Sequence, residues 1–411
     1  MPKSTALFLF YLFALSSFIL SYSVQGTIEN NLANNLVNHL ETCSDSEKAN
    51  ILAPATHQDH TVYLACHLSL SATDILTKKI IIQNEAASNT HINCNNGIID
   101  MHSGIAAGIF THSDNTITIQ SVKLDDDTWS VPENISIENC YIKGNIRIIG
   151  MGKNGEAPNV NASSQTLGHT LRANNAAPHH IVLNNLTLES IVRTPLYIAP
   201  GVHHVTLQDS NIQGTSSSVA LYLDAETNYN HILNNQFHAN GPREVMAIDG
   251  SAFNTIRGNL FSAINFGGIY LYRNCGQGGT VRHQTPSHNI IEHNYFYYDQ
   301  YTGNNPAIYI SARNGNRNYC EDDSSANLPG TSSTDNNDNA QNNLVRYNQF
   351  LNRDPIAYLR FGTRLEDAYL NIPTTYGNQS VGQFHFGFTI ARPLFQSKYM
   401  MRETHCQRYF Y

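Results

Sequence analysis

Short runs in which apolar and polar residues alternate, each bounded by Asn, Gly or Ser, fill most of the chain. Four of them share the pattern Asn-x-(Ile/Val)-x-x-Asn-x-Phe: NHILNNQF from Asn230, NTIRGNLF from Asn254, NIIEHNYF from Asn289 and NLVRYNQF from Asn343. Looser copies are ISIENCYI from Ile135, IVLNNLTL from Ile181 and VTLQDSNI from Val205. A period of two predicts strands with one face buried. The copies also keep an interval: 24 residues from Leu188 to Ile212, 25 from Ile212 to Phe237 and 24 from Phe237 to Phe261.

A strand-rich unit that keeps such an interval fits one coil stacked on the next at about 4.8 Å, the distance between paired strands. Like residues then form ladders. Phenylalanine fills the interior, while asparagine at a tight corner tolerates left-handed backbone and hydrogen-bonds its copy in the next coil. A leucine-rich repeat needs a leucine consensus that is missing, and a β-sandwich would not hold the interval. The repeat resembles the right-handed parallel β-helix proteins of the pectin-lyase-like superfamily, and the resemblance covers Lys79 to Gly362. It implies an all-β, single-domain solenoid and, in a superfamily rich in polysaccharide-acting enzymes, a polysaccharide partner. The Gly-His-Gly and Arg-Ile-Lys signatures of polygalacturonase-like members are absent, as is the Asp-Pro-His-Asp motif of alginate epimerases.

The two ends read differently. Residues 27–78 open with TIENNLANNLVNHLETC, whose helical periodicity suits an N-terminal cap over the first coil, where unpaired backbone needs cover. Residues 363–411 lose the repeat and are read as a C-terminal cap or tail. Residues 1–26 place Lys3 ahead of the apolar run ALFLFYLFALSSFIL and small residues after it, the layout of a secretory signal peptide. That run falls short of the roughly 20 residues a membrane span needs. The processed chain is therefore expected to be secreted, periplasmic or extracellular, with no transmembrane segment. All seven cysteines lie beyond the signal, where disulfides form, and an odd number leaves at least one outside any internal pair. A net charge of −8 gives no general attraction to nucleic acid, so none is expected as a partner, although a local basic groove can still hold a polyanion. The oligomeric state is not legible.

Three detours break the interval: Ile142 to Leu188 spans 46 residues, Phe261 to Phe296 spans 35 and Phe296 to Phe350 spans 54. Residues in excess of a coil must loop out, and such loops carry binding sites. The second detour follows GIYLYRN and gathers Arg273, Arg282, His283 and His288. The third supplies Arg313, Arg317, Glu321, Asp322 and Asp323. These two are expected on neighbouring coils and on one side, tied by a disulfide between Cys275 and Cys320, which hold matching places in their loops.

Alternation points Leu196, Ile198, Leu221, Leu223, Ile269, Leu271, Ile308 and Ile310 inward, and leaves Tyr197, Tyr222, Ala247, Tyr270, Tyr309 and Tyr358 outward. Such a tyrosine file suits stacking on sugar rings. One outward step on stand Asp224, Asp249 and Tyr272, with Glu226 and Glu244 nearby. Asp224, Glu226 and Asp249 form a possible calcium site; a raised carboxyl pKa or plain pairing with Arg243 and Arg273 are the alternatives. Elimination from a uronate polymer needs cations on the sugar carboxylate and a base for the α-proton. Arg273, Arg282 and Arg313 suit the first task, and His283, His288 or Tyr272 the second. Glycoside hydrolysis would instead use Asp224 and Asp249 as its two carboxyls. A non-catalytic adhesin or envelope protein would only grip glycans with the tyrosines. The uronate lyase leads these expectations.

Overall fold

In the computed structural model the described residues are 40–262, 265–274, 276–297, 305–310, 323–334 and 340–351, together with the backbone of Leu359–Phe361, Ile372–Pro373 and Phe384–Phe386. Their strands fall into three parallel sheets of 11, 10 and 9 strands, and one antiparallel pair, Val122–Lys123 with Trp129–Ser130. Each coil gives one strand to each large sheet in turn, so every strand pairs with its counterpart one coil on.

The interval read from the sequence is the pairing register. Leu188 pairs with Ile212, Ile212 with Phe237, Phe237 with Phe261 and Phe261 with Phe296. The eight residues expected to point inward from the first sheet are all fully buried. Phe237, Phe261 and Phe296 stack with ring centroids 5.0 and 4.9 Å apart, so the coil spacing and the ring contact coincide. Removing one such ring from water is worth about 1.5–3 kcal/mol.

The asparagine pairs form two buried ladders. Asn230, Asn254, Asn289 and Asn343 each pass a side-chain amide hydrogen bond to the next, at 3.0, 2.8 and 3.0 Å. Asn235, Asn259, Asn294 and Asn348 do the same at 3.0, 2.9 and 3.0 Å. The expectation of left-handed backbone is displaced by one residue. It is the residue before each ladder asparagine that has positive φ: Tyr229, Phe253, His288 and Asn342 in one column, Asn234, Gly258, His293 and Tyr347 in the other. The corner is turned there, which swings the asparagine amide into the stack.

Coil boundaries also shift. The strands Thr61–Tyr63, Leu68–Ser69 and Ile75–Leu76 already join the three sheets, so the solenoid starts before Lys79 and within the region read as a cap. Beyond Gly362, Ile372–Pro373 and Phe384–Phe386 extend the second and first sheets. The helix in the cap region is Asp45–Leu52, started by a Ser44–Glu47 capping box. Residues 1–39, with the signal and most of the expected cap helix, lie outside the described residues. No helix among the described residues is long and apolar enough to cross a membrane. Disulfides join Cys43 to Cys66 and Cys94 to Cys140, the latter across neighbouring coils where Asn93 pairs with Glu138. Cys275 and Cys320, the pair expected from the loops, lie outside the described residues, as does Cys406.

Candidate functional site

The outward file on the first sheet is Arg147, Tyr197, Tyr222, Ala247, Tyr270 and Tyr309, read along successive pairings. Tyr358, expected in this file, lies outside the described residues; the register partner of Tyr309 one coil on is Arg360. Tyr197 and Tyr222 stack 5.0 Å apart at 14°, and the Arg147 guanidinium lies 3.9 Å over the Tyr197 ring. Tyr270 and Tyr309 form a second, tilted pair at 5.1 Å. The file is not an open wall. Tyr222 is 9% exposed, Tyr272 beside the file is fully buried, and the Tyr197, Tyr222 and Tyr272 hydroxyls are engaged by acids, whereas that of Tyr270 donates to the Phe266 carbonyl at 3.3 Å. Tyr197 donates to Asp224, Tyr222 to Asp249 at 2.6 Å and Tyr272 to Glu244 at 3.1 Å.

What covers the file is the first detour, which the sequence did not group with the other two. It folds into the helices Pro158–Ser164 and His169–Asn175 and meets the second detour directly. Asn161 Nδ2 donates to the Gly278 carbonyl at 2.8 Å, and the Val281 N–H to Ser164 Oγ at 3.0 Å. Arg282 ties all three: its Nη1 donates to the Gly155 carbonyl at 2.9 Å, and its N–H to Ser332 Oγ at 2.8 Å. Second and third detours therefore share one side, as expected.

Asp224 and Asp249 stand on adjacent coils, since Leu223 pairs with Ile248. Asp224 accepts from the N–H groups of Gly155 at 3.0 Å and Ala225 at 2.8 Å, besides the Tyr197 hydroxyl. Asp249 accepts from Tyr222 and from the N–H and side-chain amide of Asn274. Burial raises both carboxyl pKa values; Arg282 opposes the rise at each, and the charge of Asp224 adds to it at Asp249. Burial pulls Arg282 down, and the two aspartates more than offset it. Glu226 accepts from the N–H groups of His283 at 2.8 Å and Gln284 at 3.1 Å and from the Thr170 hydroxyl. The three acids expected to share calcium thus face hydrogen-bond donors and a guanidinium. A hard cation needs converging free oxygens, and this donor set does not fit one.

Between the detours and the file lies a polar cavity of about 330 Å³. Tyr197, Tyr222, Asp224, Arg243, Asn274 and Arg282 form its floor and side, and Asn154, Gly155, Glu156 and Gln277 its loop margin. Arg243 pairs with Glu244 at 2.8 Å and donates to the Tyr272 hydroxyl at 2.8 Å. Of the residues singled out in the sequence, Tyr197, Tyr222, Asp224 and Arg282 line the cavity. Asp249, Tyr272, Glu226 and Arg273 are buried beside or behind it. His283 is drawn away: its Nε2 donates to the Ser164 carbonyl at 2.8 Å, and its ring lies 5.2 Å from that of His169. His288 stacks on Phe253 at 4.8 Å, at the corner leading into the second sheet, and is not among the lining residues. Arg313 lies outside the described residues. Arg243 was singled out only as a pairing partner for the acids, and it does pair with Glu244; Arg147 and Asn274 were missed, although Arg147 holds the outward place of NIRIIG and was legible from alternation.

A second cavity of about 590 Å³ opens beside helix Pro158–Ser164, lined by Trp129, Lys123, Met151 and Arg172 among others. Trp129 is the single tryptophan of the chain.

Three parallel sheets wound coil on coil, with a loop-built polar cavity over the first, define a right-handed parallel β-helix. No protein-family model and no curated protein matches the chain. Solved structures similar to it include an alginate lyase from Paenibacillus sp. str. FPU-7, at 10% identity and a TM-score of 0.48 over 80% of this chain and 99% of that one. A surface adhesin of Streptococcus pneumoniae, PfbA, is similar at 10% identity and 0.39 over 85% and 96%. The Azotobacter vinelandii mannuronan C-5 epimerase AlgE6 A-module is similar at 12% and 0.32 over 85% and 94%.

Proposed function

We propose that the protein is an exported β-helix enzyme that cleaves a uronate-containing polysaccharide by β-elimination in the 330 Å³ cavity. The observation that carries this reading is the lining itself: two arginines, an aspartate of raised pKa and two tyrosine hydroxyls in one polar recess. Arg243 and Arg282 meet the sugar carboxylate, which acidifies the α-proton. Asp224, behind the Tyr197 hydroxyl, accepts that proton through the tyrosine, and its raised pKa makes it a stronger base than an ordinary carboxylate. The electron pair of the C–H bond forms the new double bond as the glycosidic oxygen leaves. Tyr222, whose pKa burial holds well above its ordinary value, keeps its proton at neutral pH and donates it to that oxygen.

Hydrolysis by Asp224 and Asp249 is the weaker reading, because Asp249 does not line the cavity and serves to orient Tyr222. A glycan-binding role without turnover is favoured by one observation, the near-complete burial of Asp224 and Arg282 under the first detour. The two disulfides suit an oxidising compartment and hence export. The test is incubation with alginate, polygalacturonate and glycosaminoglycan uronates. Elimination gives a product absorbing in the far ultraviolet; Tyr222→Phe and Asn274→Ala each lower that rate at least about 100-fold. Reducing ends without absorbance would mean hydrolysis, and saturable calorimetric binding of a uronate oligosaccharide with neither product would mean a binder.

A further inference from the structure

On the outer face of the second sheet, two consecutive coils each carry a pair of adjacent histidines: PHHIVLNN, with His179 and His180, and VHHVTLQD, with His203 and His204. In extended backbone, neighbouring side chains point to opposite faces. Here they converge, because the second histidine of each pair has left-handed backbone, φ 55° at both His180 and His204. The result is the same in both coils: the two Nδ1 atoms of a pair lie 2.7 Å apart. The register puts one pair over the other, with His179 and His203 rings 4.9 Å apart and His180 and His204 rings 4.8 Å apart.

The coil before supplies a carboxylate in the same column. Glu133 pairs in register with His179, and its Oε2 lies 3.3 Å from His179 Nε2. One ligand atom from each of Glu133, His179 and His180 lies within 4.8 Å of the others. Two imidazole nitrogens bound to one tetrahedral zinc ion at about 2.0–2.1 Å each sit about 3.3 Å apart, so the 2.7 Å pair must open by about 0.6 Å to take the ion. A carboxylate accepting from the far nitrogen is the usual outer partner of a metal-bound histidine; it fixes the proton on Nε2 and frees Nδ1 for the ion.

We propose that the paired histidines form a surface site for a divalent transition-metal ion, held through Nδ1 of His179 and His180 with Glu133 as orienting partner, and with His203 and His204 completing an imidazole patch one coil on. Imidazole nitrogen selects zinc, copper or nickel over calcium or magnesium. The site is independent of the cavity over the first sheet.

The experiment is calorimetric titration of the untagged full chain with zinc chloride, beside copper(II) electron paramagnetic resonance. The chain holds 19 histidines, so a variant must isolate these. His179→Gln with His180→Asn is suitable, since Asn134 already occupies the register place of His180 in the preceding coil, at φ 57°. The proposal expects saturable zinc binding and copper hyperfine structure from nitrogen ligands. It expects the double variant to bind at least about tenfold more weakly, and Glu133→Gln to weaken binding by about tenfold without unfolding. A columnar stack with no metal role would instead lower the melting temperature in the double variant and leave the zinc isotherm unchanged. That isotherm, or no zinc binding by the wild type, would overturn the proposal. Should the double variant fail to fold, the Glu133→Gln affinity and the copper spectrum of the wild type decide it.

Discussion

Asn254→Ala tests the ladder on which the position of every site residue depends. The Asn254 amide donates to Asn289 Oδ1 and Ser251 Oγ, both at 2.8 Å. Its Oδ1 accepts from the backbone and side-chain nitrogens of Asn230, both at 3.0 Å. All three asparagines are fully buried. Alanine leaves two Asn230 donors in a dry interior with no acceptor, and each stranded group costs about 1–3 kcal/mol. The sum is on the order of 4 kcal/mol, at the upper end of what one substitution does. Asn254→Asp keeps the accepting oxygen but sets an acceptor against Asn289 Oδ1, so it is expected to be as damaging. Thr255→Ala, on the outward side of the next residue, is the control and costs under about 1 kcal/mol. Urea unfolding followed by circular dichroism measures the loss, and hydrogen exchange at the Asn230 amide locates it. A loss for Asn254→Ala no larger than that of the control, with Asn230 still protected, would falsify the ladder as a source of stability.

Two further outcomes follow from the site. A Cβ at Gly155 would lie 2.3 Å from Arg282 Nη2 and 2.7 Å from its central carbon, so Gly155→Ala is expected to push Arg282 off the Gly155 carbonyl and lower turnover or binding at least about tenfold, while the melting temperature changes little; unaltered function would remove Arg282 from the site. Burial, together with nearby cations, depresses His169 to about 4, so the native state keeps its imidazole neutral while the unfolded chain protonates near 6.5. Its contribution is present above about pH 6.5 and is lost as pH falls toward 4, on the order of 3 kcal/mol. The fall in urea midpoint between pH 7 and pH 4.5 is therefore expected to be smaller in His169→Gln than in the wild type, and equal falls would refute it.

The sequence by itself determined the coil. The 24-residue interval, the inward aliphatic residues and the two asparagine ladders are all legible, because each coil repeats the same local contacts and identical residues mark identical places. It also marked Tyr197, Tyr222, Asp224 and Arg282, whose outward or loop positions follow from alternation and interval. The tertiary structure decided the rest. His283 and His288 were chosen for their chemistry, yet one bonds to Ser164 and the other stacks on Phe253. The first detour closes over the tyrosines through contacts such as Asn161 with Gly278 and Arg282 with Gly155, 117 and 127 residues apart. No repeat encodes such contacts: a loop leaves the stack free of its register, and its path is set by whichever distant donors and acceptors it meets.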